Sequence, residues 1–230
     1  MRTLMRILRT VTIISAALAC TACTVKGTGC AAYVARGFAY KQQAQYQKAI
    51  EACSEAIRLD PAFSSAYACR AAAYEAVKQY QKAIDDCSTA ISLEPNDWSS
   101  YFFRGCVYED LGKHQNAIDD FTKALSLHPD VAYYTHRGGA YYQLKQYQKV
   151  IEDCSKAISY DPTFSNAHFV RGCAYQELGQ HQKAIDDFTK TINLDPKCTD
   201  AFAWRAAAYE KLDKKDLAQK DRETAKQLGL

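Results

Sequence analysis

Apolar residues return along this chain at intervals of three and four, in two alternating registers. Tyr67, Ala71 and Tyr74 share one face of a first helix, and Ala83, Cys87 and Ala90 share one face of a second. A short polar turn separates them, Val77-Lys78-Gln79-Tyr80 here and Leu111-Gly112-Lys113-His114 further on, where glycine suits a left-handed cap at a helix C-terminus. The pattern predicts a hairpin of two helices, each about 13 residues long. Pro61, Pro95, Pro129, Pro162 and Pro196 then recur at spacings of 34, 34, 33 and 34. Each closes a second helix, because the residue before proline is pushed out of helical backbone. Ser64, Ser165 and Thr199, three residues after their prolines, are expected to cap the next helix.

One seven-residue phrase carries the period. Ala117-Ile-Asp-Asp-Phe-Thr-Lys123 returns unchanged as 184–190, and 49–55, 83–89 and 150–156 are variants that put Cys where these have Phe. Ala and Ile are expected to face inward and the acidic pair outward. A single hairpin of this kind cannot bury its apolar face, so the copies must stack.

These copies resemble tetratricopeptide (TPR) repeats. The family's pattern of aromatic, small residue, Tyr, Ala, Phe, Ala and Pro is met by Tyr101, Gly105, Tyr108, Ala117, Phe121, Ala124 and Pro129, and in phase by the other copies. The resemblance implies an all-α fold, a right-handed α-solenoid of six helix-turn-helix repeats at 30–63, 64–97, 98–130, 131–164, 165–198 and 199–230. The sixth copy puts Arg222 at the Phe or Cys place and has a polar second helix, as a solvent-facing end requires.

In TPR proteins the concave groove is lined from the first helix of each repeat. Carried over position by position, that stripe includes Val34, Phe38, Lys41, Phe102, Glu109, Thr135, Tyr142, Phe169, Gln176 and Glu210. It is apolar with a partly acidic rim and fits an extended peptide or a partner helix with aromatic or aliphatic anchors. The Lys and Asn with which the family grips chaperone C-termini are missing from their places. The bland reading of Phe102 and Phe169 is packing against neighbouring helices. Arginine recurs as Arg36, Arg70, Arg104, Arg137, Arg171 and Arg205, either as a ladder for an acidic ligand or, as we favour, as a structural ladder paired with Asp86, Asp120, Asp153 and Asp187 of the preceding second helix.

Cysteine is abundant, with 10 residues. Three combinations place one in a second helix and one in the following first helix: Cys53 with Cys69, Cys87 with Cys106, and Cys154 with Cys173. Two readings stand: three disulfides between copies, or free thiols that fill the volume Phe takes elsewhere. Cys69 sits three places earlier in its copy than Cys106 and Cys173.

The N-terminus adds a location. Arg2, Arg6 and Arg9 precede an uncharged run that ends in Ala17-Leu18-Ala19-Cys20, which resembles a bacterial lipobox. The run is too short for a permanent membrane helix, which needs about 20 apolar residues. Residues 1–19 are therefore expected to be a signal peptide, Cys20 the lipidated residue, and 20–29 a short tether to the repeats at 30–230. Simple secretion and an Arg-rich mitochondrial-type presequence are the rival readings. Those three arginines account for the whole formal charge of +3, so the remainder is neutral and offers little counterion-release drive toward nucleic acid. Neither a phosphate loop nor a nucleophile elbow nor metal-ligand spacing stands outside the repeat grammar. The chain is accordingly expected to be non-catalytic, without cofactor, metal or small-molecule substrate. The expected role is a protein-binding adaptor, anchored by lipid on the bacterial envelope (the outer membrane where there is one). The alternative is a secreted, disulfide-stapled effector or signalling protein.

Overall fold

The computed structural model describes residues 28–229, which hold twelve α-helices and no strand. The expected signal peptide, Cys20 and most of the tether lie outside those residues. Helix contacts divide the chain into two units that meet in sequence at Pro129 and Asp130. The first unit contains α1 (Thr28–Gln42), α2 (Tyr46–Leu59), α3 (Ser64–Ala76), α4 (Tyr80–Leu93), α5 (Trp98–Asp110) and α6 (His114–Leu127). The second contains α7 (Val131–Gln143), α8 (Tyr147–Tyr160), α9 (Ser165–Glu177), α10 (His181–Leu194), α11 (Thr199–Lys211) and α12 (Lys215–Gln227). Within each unit consecutive helices pack as hairpins, and each hairpin lies against the next. The fold is all-α, as expected.

Burial follows from that stacking. First helices are enclosed by neighbours: α9 buries Ala167, His168, Phe169, Val170, Gly172, Cys173 and Ala174, nearly its whole circumference. Second helices are one-sided; α6 buries Ala117, Ile118, Asp120, Phe121, Ala124 and Leu125. The acidic pair is thus split rather than outward, since Asp119 is exposed while Asp120 is buried. The helical step of about 100° per residue puts adjacent residues on different faces. In α12 only Ala218, Asp221 and Ala225 are buried, which matches its polar sequence.

The turns within hairpins use left-handed backbone. Gly112 and Gly179 have φ of 70° and 71°, the expected cap, while Ala44, Lys78, Lys145 and Asp213 hold φ of 56–61° despite their side chains. Each such position costs roughly 1 kcal/mol or more without glycine. The turns between hairpins differ from expectation. Ser64, Ser165 and Thr199 open their helices, and the residues before them, Phe63, Phe164 and Cys198, make no side-chain cap. Asp60, Asp161 and Asp195 instead accept from the backbone N–H two residues on, at 3.0, 2.8 and 3.1 Å. These Asx turns fix the chain ahead of each helix. Side-chain caps are made where Asp97 and Asp130 stand next to the helix.

Phenylalanine at the middle of a second helix sets a packing requirement. A Cβ on Gly105 would lie 2.6 Å from Cε1 of Phe121, and one on Gly172 would lie 2.8 Å from Cε1 of Phe188. Phe therefore requires glycine sixteen residues earlier in its own hairpin. Where alanine stands at that place, as Ala71, the partner is the smaller Cys87, while Cys53 and Cys154 face glycines, Gly37 and Gly138.

Candidate interaction surface

The recurrent arginines are engaged inside the fold. Arg70 donates from Nε and Nη2 to both oxygens of Asp86, each at 2.8 Å. Arg104 does the same to Asp120 at 2.8 Å, Arg171 to Asp187 at 2.8 Å and Arg205 to Asp221 at 2.8 Å. Arg137 reaches Asp153 at 2.8 and 2.7 Å. The partner is thus the following helix of the same hairpin, not the preceding second helix. The preceding second helix supplies a hydroxyl instead: Ser54, Ser88, Ser155 and Thr189 accept from Nη1 of Arg70, Arg104, Arg171 and Arg205 at 2.9–3.1 Å. One guanidinium thereby ties its own hairpin and registers it on the preceding one. These bonds raise the five guanidinium pKa values. For Asp153 burial outweighs Arg137 and pushes the carboxyl above its ordinary range. In the first copy Ala52 occupies the Asp place, and exposed Arg36 lies over the Tyr33 ring at 5.4 Å.

The described cysteines are free thiols, and all of them except half-buried Cys106 are buried. None of the three expected cross-links is made in the structure. The combinations are not equivalent. Cys53 and Cys69 both aim at Gly37, where a Cβ would stand 2.5 and 2.9 Å from their sulfurs, and the Cys69 thiol donates to the Val34 carbonyl at 3.9 Å. Cys87 packs in a cluster to which α5 contributes Val107, Phe103 and Tyr108. Cys154 and Cys173 share one core cluster with Val170. Burial pushes the thiols of Cys87, Cys154 and Cys173 up, and neighbouring Cys69 together with burial does the same to Cys53, so none is a reactive thiolate in the packed fold.

The expected groove stripe is only partly a surface. In the first unit Val34 and Glu109 are buried, Lys41 and Phe102 are half-buried, and Phe38 is 39% exposed. The Phe102 ring rests on Phe121 at 5.6 Å between centroids. In the second unit Thr135 is fully enclosed and donates to the Val131 carbonyl at 2.8 Å. Phe169 is buried against Phe188 at 5.8 Å. Tyr142 is buried, which raises its pKa, and donates to Glu177 at 3.1 Å. Gln176 is half-buried beside His181 at 3.1 Å, and exposed Glu210 is paired with Arg222. Val34, Glu109, Thr135, Tyr142 and Phe169 accordingly serve packing and present no face to a ligand. The first helices are enclosed more fully than one stripe per helix suggests. Phe38 and Phe102 keep reachable apolar surface, with half-buried Ala68 from α3. The sixteen-residue link from each arginine and glycine to its partner escaped the sequence reading, although the spacing Arg70–Asp86 and Arg104–Asp120 displays it.

No helix among the described residues is long and apolar enough to cross a membrane. No curated protein matches the sequence. Solved structures do match in fold. The Pseudomonas aeruginosa protein PilF aligns with a TM-score of 0.78 at 14% identity, covering 89% of this chain and 93% of that one. PilW, described as a widely conserved type IV pilus biogenesis factor, aligns at 0.76 and 18% identity over 84% and 90% of the two chains. YrrB, described as a TPR protein with an unusual peptide-binding site, aligns at 0.65 and 21% identity over 78% and 93%. The tetratricopeptide repeat family itself matches at residues 30–63, 64–97, 98–131, 131–164 and 165–198. With helix pairs, glycine–aromatic partners and arginine ties recurring at the same places, the chain belongs to the tetratricopeptide repeat family.

Proposed function

We propose that this protein is a non-catalytic adaptor that takes a peptide or helix of a partner protein on the first-helix face of residues 28–129. Protein–protein scaffolding is the general role of TPR chains. The observation that carries the finer reading is Phe38, a large aromatic side chain with 39% of its surface in water. With half-buried Phe102 it supplies the apolar anchors that helical and extended peptides seek. The description of YrrB as peptide-binding supports the same mode in this fold. The lipobox-like Ala17-Leu18-Ala19-Cys20 supports a lipid anchor at Cys20 and a place on the bacterial envelope.

Two measurements test this. Phe38→Ala with Phe102→Ala keeps far-ultraviolet helicity and loses at least one partner captured by the unaltered protein from an envelope extract; an unchanged set of captured proteins refutes the site. The intact mass of native protein begins at Cys20 with attached acyl chains. An unmodified start at that residue would replace the anchored adaptor by the secreted alternative.

A further inference from the structure

Within each unit, the residue at the middle of a second helix meets the residue sixteen places on, in the next first helix. Phe188 packs on Trp204 with ring centroids 6.2 Å apart. Cys87 shares its cluster with Phe103, Cys154 with Val170, and Cys53 with Cys69. Of these four junctions, only that between α2 and α3 sets thiol against thiol. The pairings Cys87–Cys106 and Cys154–Cys173 are offset by three further residues, almost a full helical turn beyond that meeting point.

We propose that Cys53 and Cys69 form a redox pair that closes to a disulfide and locks the first hairpin to the second. Both sulfurs crowd the bare Cα of Gly37 on α1, and that glycine leaves them the room to meet. The chemistry needs a disulfide oxidant, of which glutathione disulfide is the simplest. One protein thiolate attacks it, the oxidant's S–S bond breaks, and a mixed disulfide forms as one glutathione thiolate leaves. The second protein thiol gives its proton to solvent and attacks the mixed disulfide, expelling the other glutathione. Two protein S–H groups have lost two protons and two electrons, and the oxidant is reduced to two thiols.

The location has a structural logic. The first hairpin is the copy whose Asp place is Ala52, so it lacks the bidentate arginine tie the later hairpins have. The disulfide joins this internally untied hairpin to the next one, beside the Arg70–Ser54 bond that already crosses the same junction. Both thiols are fully buried in the docked state. Oxidation therefore enters while the hairpin is undocked, during folding or local opening, and the closed dithiol is protected from outside reagents.

The test uses the full chain, unfolded in urea and refolded in glutathione buffers poised from reducing to oxidising, with a parallel arm that exposes native protein to the same buffers. Samples are quenched in acid, blocked with maleimide, digested and mapped by mass spectrometry. The refolded arm yields Cys53 and Cys69 peptides joined and lighter by two hydrogens, while Cys87, Cys154 and Cys173 carry maleimide. The native arm reaches the same product more slowly. Amide exchange in α1 and α2 slows on oxidation by about a hundredfold, the factor that closing a loop of this length supplies. Cys53→Ala and Cys69→Ala each abolish that difference. The proposal is overturned by maleimide on both residues after oxidative refolding, by Cys53 joined to any other cysteine, or by a disulfide that leaves exchange in α1 and α2 unchanged.

Discussion

The glycine–phenylalanine partnership can be measured as a coupling energy at Gly172 and Phe188. In Gly172→Ala the new methyl would stand 2.8 and 3.0 Å from Cε1 and Cδ1 of Phe188 and 3.2 Å from Cβ of Asp187. A ring enclosed at 0% exposure cannot swing aside, so overpacking costs about 1–3 kcal/mol. Alanine's helix preference returns about 1 kcal/mol, leaving a net loss of about 0–2 kcal/mol. Phe188→Cys removes most of a buried ring and leaves a void, costing about 2–4 kcal/mol. If the two sites were independent, the double variant would lose the sum. It instead recreates the Ala71–Cys87 arrangement of the second copy. The added methyl then occupies space the ring has left, and the expected loss is about 1–3 kcal/mol, with a coupling of about 1–3 kcal/mol in favour of the pair. Urea unfolding of the parent, both single variants and the double variant, followed by helical circular dichroism, reads this directly if the four transitions share one slope. Additivity within about 0.5 kcal/mol would refute the packing account.

Other perturbations test the remaining architecture. Asp120→Ala leaves Arg104, whose side chain is only 19% exposed, without its carboxylate and should cost about 3 kcal/mol; the exposed neighbour Asp119→Ala should change urea stability by under about 0.5 kcal/mol. Lys78→Gly relieves a non-glycine residue at φ 61° and should stabilise by about 1 kcal/mol, whereas Gly112→Ala should cost a similar amount, both read as shifts in urea midpoint. Because burial raises the Asp153 carboxyl above its unfolded value of 3.8, its contribution is largest at acid pH, where both states are protonated, and is lost as pH rises through the folded value. Comparing unfolding of the parent and Asp153→Asn across that interval should show the parent losing ground as pH rises; the opposite slope would contradict the direction of the shift.

Architecture was legible in the sequence because it is written many times. The prolines at 34- and 33-residue spacing and the in-phase Tyr, Ala and Phe or Cys positions marked the hairpins, and every expected pair is present. Individual side chains were harder to read. One copy of Asp-Asp cannot tell which carboxylate turns inward; Asp120 is buried only because Arg104 lies across from it. The stripe drawn through Thr135, Tyr142 and Phe169 assumed that every first helix keeps a free side, yet the neighbouring helices close over those residues. Phe38 and Phe102, with the same apolar character, retain surface. Character along one helix was visible, whereas coverage by the next depends on stacking. The thiols show the same divide, since spacing offered three pairings and it is Cys53 and Cys69 whose sulfurs converge on one glycine, Gly37.

The position of the glycine partner bears on how such a chain can lengthen. Gly105 and Phe121 are both contained in one hairpin, as are Gly172 and Phe188, so copying a hairpin carries the bulky residue together with the gap that receives it. A newly inserted copy would arrive internally matched and need only find a serine or threonine across its border for the arginine, as Arg104 finds Ser88 and Arg205 finds Thr189. The verbatim recurrence of 117–123 at 184–190 is what such an inheritance of matched parts would leave behind.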